Sequence, residues 1–570
     1  MLIAGLLVHT VLPRTLAYAM PNLKMEWPGG KPINYPDIVQ VPGVAAVADI
    51  NLDGTPDIVF MAYRHPLVYD NSILRAIDGK TGNSIFDSDD NFPYFYNSPA
   101  IADLEGDGIP EILIMVPEIN TIPQFPEAPR VYDSNGVRRY IAQPSTLKTD
   151  SPVITAGDLD GDCFVEYSAG STIWNHDGSI RFEGSFGAAS SSGSFSRASR
   201  DSLAFADLDG DGFSEVLDRT IAYRHDGTVY WQHENTAGPG FVSPLIPKGN
   251  GGSLAVADFN LDGVPEVVYL RHEEPTGSTY SNTYYRFNFD GTLLFSAPSN
   301  VAGTITLIDS NSDGVPEIGS GQWIDQSAYG PQRYDLMDVN GNVIWTKYGE
   351  CEFSNEGAAG FYAGTSPMLA YADNHSFSII DATNGNVVYT TCNTHFTWWN
   401  MPVVADLDGN GKSEVVLGST QSGICDPTLC SPMGLRVFED DTWDQPRSIW
   451  NMPGYHITNI YDDAQVPPRE PASWVYHNTW RVQKPVKPFK FGDVGNTLLM
   501  AKSPPGGSNA YMQWDPALGA DEYEILFDDV KPFTTQAVSA TTPLTDHTLL
   551  NIVTTPPDLH FYRIHPDECF

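Results

Sequence analysis

Seven acidic nine-residue loops of one design recur along the chain, and their spacing limits the fold more than any other feature. They occupy 49–57, 103–111, 158–166, 207–215, 258–266, 309–317 and 406–414. Oxygen-bearing side chains stand at loop positions 1, 3, 5 and 9. The first loop offers Asp49, Asn51, Asp53 and Asp57, and the second Asp103, Glu105, Asp107 and Glu111. The third has Asp158, Asp160, Asp162 and Glu166, and the fourth Asp207, Asp209, Asp211 and Glu215. The fifth and sixth have Asp258, Asn260, Asp262, Glu266 and Asp309, Asn311, Asp313, Glu317. The last has Asp406, Asp408, Asn410 and Glu414, with an amide where the others have the position 5 carboxylate. Oxygens converging from a short, sharply turned backbone are what a hard cation such as Ca2+ requires. Position 6 is glycine in six loops, because glycine enters left-handed conformations without a Cβ clash. Cys163 takes that place in the third loop, at an expected strain of about 1–2 kcal/mol.

The first aspartates are 54, 55, 49, 51, 51 and 97 residues apart, so one interval is about double. A second signal locates the module within it. Asp78-Gly79, Asn135-Gly136, Asp177-Gly178, Asp226-Gly227, Asp290-Gly291, Asn340-Gly341 and Asn384-Gly385 are tight-hairpin dipeptides between β-rich runs. Asn384-Gly385 falls inside the long interval, where Asp373 is expected to begin a truncated loop without cation ligands. The final module, around 439–441, has the acidic loop but no such dipeptide. The count is eight modules, seven with a metal loop.

Apolar runs enter and leave each loop (SLAFAD, EVVLG), and two more flank the outer turn (TIAYRHDGTVYW). Four short strands per ~50 residues is the signature of a β-propeller, since a small four-stranded blade cannot bury both faces alone. The expected fold is all-β: a propeller of eight modules over 20–452, with seven blades as runner-up if a terminal module is a cap or shared in closure. A Trp/Tyr- and Pro-rich connecting segment, 453–494, comes next and reads as a linker. Alternating apolar residues and turn signals suggest a small β-sandwich over 495–570. The Ser/Gly-rich stretch after the third module reads as a surface loop.

Residues 1–19 pair an apolar run with Ala17-Tyr18-Ala19, the pattern of a secretory signal peptide, although no positive charge precedes the run. The alternatives are a late start codon or a buried strand. No other segment is long and apolar enough to span a bilayer. Six cysteines do not make a disulfide scaffold. Cys425 and Cys430 could close a small ring, Cys351 and Cys392 could pair, and Cys163 and Cys569 have no evident partner.

With 31 Lys plus Arg against 71 Asp plus Glu, the formal charge of −40 argues against nucleic acid and anionic membranes as partners. The loops hold 24 of those carboxylates, and seven bound Ca2+ would bring the net charge to −26. Part of the acidity is therefore a metal inventory.

The loops, each followed by a β run as in DLDGDGFSEVL, resemble the FG-GAP/VCBS repeats, the calcium-loop blades also found in integrin α-chain heads. The resemblance covers roughly residues 40 to 450. It implies up to seven structural Ca2+, held by positions 1, 3, 5 and 9 and the position 7 carbonyl. In the fourth loop that carbonyl is Phe213's. The Phe-Gly and Gly-Ala-Pro signatures of integrin blades are not evident, so an integrin-type ligand site is not carried over. The segment 447–483 resembles the stretch that comes after such repeats in large bacterial surface proteins. The pattern WDPALGADEYEI near the C-terminus resembles a fibronectin type III domain.

No GxSxG, HExxH or phosphate loop appears, no Ser/His/Asp order is legible, and the abundance of carboxylates prevents choosing a glycosidase pair. His395, Trp398 and Trp399, or Trp450, Tyr455 and His456, could form a sugar platform; filling blade interfaces is the more ordinary use. The sequence therefore suggests a secreted or cell-surface, calcium-stabilised, non-catalytic propeller. Its partner would be an extracellular protein or glycan, or other copies of itself. The alternatives are a polysaccharide lyase or lectin on the same scaffold, and a subunit of an extracellular filament or layer.

Overall fold

The computed structural model describes residues 20–31, 33–64, 72–90, 97–116, 128–147, 153–184, 203–246, 251–272, 282–322, 332–349, 357–395, 399–420 and 432–484, with the backbone of six strands between 499 and 566. The signal-like residues 1–19, most of the Ser/Gly-rich stretch, Trp398 and four cysteines lie outside these residues.

Eight four-stranded antiparallel sheets form a β-propeller. The inner strands are Ala46–Ala48, Ala100–Ala102, Thr155–Gly157, Ala204–Ala206, Gly251–Ala257, Thr306–Ile308, Ala359–Ala363 and Val403–Ala405. Inner strands of neighbouring blades touch one another, which places them at the axis. The recurrent small-large-small pattern, as in Ala46-Val47-Ala48 and Ala100-Ile101-Ala102, permits this crowding. All six of these residues are buried.

Blade eight explains the missing hairpin dipeptide. Its outer strand does not follow its third strand in sequence. Asn22–Trp27 supplies it, pairing antiparallel with Gly434–Glu439 and closing the ring. No outer turn is needed where the fourth strand comes from the other end of the chain.

The outer turns otherwise behave as the dipeptides require. Gly136, Gly178, Gly227, Gly291, Gly341 and Gly385 have φ between 72° and 83°. The first blade differs. There the left-handed residue is Gly82, at φ 67°, while Gly79 is needed for space: a Cβ on it would stand 2.4 Å from the Pro56 carbonyl oxygen.

Asp373 requires a correction. In seven blades the acidic loop joins the inner strand to the second strand, and its position 9 residue pairs with the last inner-strand residue, as Ala48 with Asp57 or Ala405 with Glu414. In blade seven that connection is the two-residue turn Gly364-Thr365, between Ala363 and its partner Ser366. Asp373 lies in the next turn, at the opposite end of the blade, between Ser366–Ala372 and Ser376–Asp381. The run SPMLAYAD resembles an inner strand entering a loop but forms a second strand. Asp373 accepts hydrogen bonds from the backbone of His375 and Ser376, with Lys347 at 3.8 Å.

Residues 444–483 are packed into the ring. Asp444 N–H donates to Tyr362 in blade seven, and Arg447 accepts from Asp406 in blade eight. Trp450 exchanges two hydrogen bonds with Val47 in blade one, and Asn451 and Ala464 accept from Ile101 and Asp103 in blade two. Pro468 and Arg469 pass Gly161 and Gly212 of blades three and four. Asn478 bonds Asp258 of blade five, Trp480 pairs with Leu307 of blade six, and Arg481 and Gln483 bond Gly360 of blade seven. Gln483 finally donates to Val404 of blade eight. The segment thus makes one complete circuit of the axis. Only one helical turn, Ser473–Tyr476, interrupts it after a 3-10 turn at Ile457–Asn459.

Between 499 and 566 the backbone forms two three-stranded antiparallel sheets. One orders Leu499–Lys502, Asn509–Gln513 and Leu550–Val553; the other Ala537–Pro543, Glu522–Asp528 and Phe561–Pro566.

Candidate metal centres

All seven loops share one hydrogen-bond scheme. The position 6 N–H donates to the position 1 carboxylate at 2.7–2.9 Å. The position 7 N–H donates to the position 5 side chain at 2.7–3.0 Å. The position 2 N–H donates to one oxygen of the position 9 carboxylate at 2.6–3.1 Å. These bonds fix the side chains at 1, 5 and 9. Both oxygens of the position 1 carboxylate accept backbone N–H groups, while the position 9 carboxylate uses one oxygen for the position 2 N–H.

A second left-handed position was not read from the sequence. Position 4 is Leu52, Leu261 or Ser312 at φ 59°–65° in three loops, and Gly106, Gly161, Gly210 or Gly409 in the others. Cys163 does adopt the left-handed conformation, at φ 70°. It is also disulfide-bonded, as is Cys392, which corrects the expectation that Cys163 lacks a partner. The expected pairing of Cys351 with Cys392 and the ring of Cys425 and Cys430 involve residues outside those described.

The second, third and fourth loops are linked in series. Val165 N–H, at position 8 of the third loop, donates to the Leu104 carbonyl of the second. Ser214 repeats this contact to Leu159. Pro56, Pro110, Pro265 and Pro316 hold position 8 in four other loops and have no N–H to give.

Burial pushes the position 9 carboxyls up: Asp57 to about 8, Glu111 to about 7, Glu166 and Glu215 to about 8 and Glu414 to about 7. Asp57 also faces the charges of Asp49 and Asp53. Its side chain is fully buried; Oδ2 accepts from Ile50 and Oδ1 has no hydrogen-bond partner. A buried carboxylate oxygen without a donor is costly unless a cation meets it. This orphan oxygen and the all-oxygen donor set fit Ca2+. In three loops the carboxylates are within mutual ligand distance: Asp158, Asp160 and Glu166; Asp207, Asp209 and Glu215; Asp406, Asp408 and Glu414.

The described members of both aromatic groups are interior. His395 and Trp399 are buried, with the Trp399 indole N–H donating to Ser98 at 3.0 Å. Trp450 stacks on Tyr455, and His456 on Trp480. None of these residues forms a surface platform. The loop end instead shows exposed Leu52, Ile109, Phe164 and Leu261 at loop tips, and Val475 and Tyr476 on the circuit segment. A recess of about 330 Å³ lies there, walled by Asp207, Asp209, Gly263, Phe289, Glu470 and Trp474.

No family model matches the chain, and no curated protein matches it significantly. Among solved structures, the Vibrio cholerae biofilm matrix protein Bap1 is similar in fold, with a TM-score of 0.63 at 16% identity; the match covers 82% of this chain and 100% of that one. The exotype rhamnogalacturonan lyase YesX gives a TM-score of 0.47 at 17% identity over 75% of each chain.

Proposed function

We propose that the chain is an exported, calcium-stabilised propeller of FG-GAP/VCBS type that binds or assembles outside the cell without catalysing a reaction. The carrying observation is the circuit of residues 444–483 around the axis. A propeller enzyme that works in its central funnel needs titratable side chains open to substrate there. Here the two fully buried arginines of the circuit are spent on structure. Arg481 bonds the carbonyls of Ala358, Pro402 and Pro453, and Arg447 bonds Asp462 and the carbonyls of Ile457 and Ile460.

Calcium is assigned a structural role. Three or four carboxylates per loop repel one another, and a cation that binds only the folded loop stabilises it by mass action. Disulfides at Cys163 and Cys392 support an oxidising, extracellular compartment. The exposed apolar loop tips support a binding or assembly face at that end. A matrix role like that named for Bap1 is consistent with this reading, as is a fibronectin type III-like module at the C-terminus.

The test has two arms. Chelation with EGTA should lower the melting temperature by many degrees, with recovery in Ca2+ and much less in Mg2+. Glycan and protein arrays should then show calcium-dependent binding, while uronic-acid polysaccharides incubated with the protein give no rise in absorbance from unsaturated products. Sustained product release, abolished by one substitution outside the loops, would establish a lyase instead.

A further inference from the structure

The seven loops are not equivalent. Four carry a carboxylate at position 3, namely Glu105, Asp160, Asp209 and Asp408; three carry an asparagine, namely Asn51, Asn260 and Asn311. Each of the four acidic ones is gripped by a basic side chain from its own blade. Arg139 holds Glu105 through two nitrogens, at 2.7 and 2.9 Å, and also reaches Glu111 at position 9. Arg181 joins Asp160 to Glu166. Arg224 joins Asp209 at 3.0 Å to Asp211 and Glu215. Lys24 joins Asp408 at 2.8 Å to Glu414 at 2.7 Å.

The asparagine loops have no such clamp among the described residues. In the fifth, Arg286 stays 3.9 Å from Glu266, outside hydrogen-bond distance. In the sixth, the Asn311 amide donates to Glu317 at 2.9 Å. In the first, Asp57 Oδ1 is buried without a partner.

Three clamps share one structural position: Arg139, Arg181 and Lys24 are each the bulged residue of the outer strand of their blade, while Arg224 comes from just after a third strand. At that bulge the blades with asparagine loops have Ile85, Leu294 and Ile344. The match between an acidic position 3 and a basic neighbour thus follows the residue at the bulge in three blades, and Arg224 makes it in the blade whose bulge residue is Tyr230. It has a simple electrostatic effect. In the second, third and fourth loops one positive charge offsets the fourth carboxylate, leaving the same net charge as the three carboxylates of the asparagine loops. The clamp also takes the position 9 oxygen that remains open in the first loop. Among the described residues, the three carboxylate triads close enough to hold a metal each include the position 3 carboxylate and lie in clamped loops.

We infer that the loops fall into two classes: 49–57, 258–266 and 309–317 are tight divalent-cation sites, whereas Arg139, Arg181, Arg224 and Lys24 occupy the cation's place in the other four and make them weak ones. This rests on the calcium reading above and deepens it. Four blades would then keep their loops folded when calcium is scarce, and the other three would set the calcium requirement of the ring.

Calcium counting by equilibrium dialysis and native mass spectrometry, at free Ca2+ of about 1 µM, tests it. The wild-type protein should retain three ions, and Asp57→Asn two. Arg224→Gln and Arg181→Gln should each retain one more than wild type. Seven ions of one affinity in the wild type would overturn the two-class assignment while leaving the calcium reading intact. A folded clamp variant that gains no tight ion would overturn it as well. No tight ion in any form would overturn both readings. The wild-type count decides the matter even if the clamp variants fail to fold.

Discussion

The Lys24 ammonium donates to Glu414 at 2.7 Å across 390 residues of chain. It also reaches Asp408 at 2.8 Å and Glu439 at 2.9 Å. Burial works against its charge, but the three carboxylates outweigh burial and hold its pKa raised. Ring closure and the last acidic loop are therefore one structure. Lys24→Met in EGTA is expected to cost about 3 kcal/mol, the range for removing one member of a mostly buried ion pair. Denaturant unfolding followed by circular dichroism reads it. Saturating Ca2+ should restore part of the loss, and an unchanged midpoint in EGTA would contradict the coupling.

Trp450 is fully buried, stacked on Tyr455 at 4.6 Å with Arg481 over its ring at 5.3 Å, and its backbone pairs with blade one. Trp450→Ala should cost about 3–5 kcal/mol, as for other truncations of large core aromatics. Limited proteolysis gives a second reading. Cuts within 444–483 should appear only as the whole propeller unfolds. Early cleavage there, with the blades still protected, would show that the circuit is separable from the ring.

Cys163 combines a left-handed backbone with a cross-link. Replacing it with glycine relieves about 1–2 kcal/mol of backbone strain but removes a disulfide contributing about 2–4 kcal/mol. Cys163→Gly should therefore melt below the oxidised wild type. Under full reduction the order should reverse. The same order in both conditions would mean that the strain is negligible.

His477 is held well below its ordinary value, to about 4, by burial and then by the charges of Lys484 and Arg447. The unfolded chain takes up a proton near pH 6.5 and the folded chain only near 4. Its contribution is thus present above pH 6.5 and lost as pH falls towards 4, by up to about 3 kcal/mol. His477→Gln should flatten the fall in melting temperature across that window. An identical pH profile in the variant would rule out His477 as the sensor.

The repeat was legible because its determinants are local. A nine-residue loop fixes its own turn with side-chain–backbone bonds, and a dipeptide such as Asn384-Gly385 fixes a hairpin, so eight modules could be counted without knowing what touches what. Local reading failed where pairing decides. SPMLAYAD has the residues of an inner strand, but strand position is set by pairing, and pairing placed Asp373 at the far end of its blade. The missing dipeptide in the last module was visible, but its cause was Asn22–Trp27, some 400 residues away.

What the sequence determined by itself was the module, its period, its oxygen donors and the all-β class, since each depends on residues within one turn or hairpin. Tertiary structure alone decided the closure of the ring, the circuit of residues 444–483 and the grip of Arg139, Arg181, Arg224 and Lys24 on particular loops. The circuit has proline-rich, unpaired stretches that read as a linker. It is ordered by contacts with eight separate blades, and those partners exist only once the ring has formed. The clamps obey no fixed sequence spacing from the carboxylates they hold, because three share a bulge on the outer strand, which in blade eight comes from the other end of the chain, and Arg224 reaches its loop from just after a third strand.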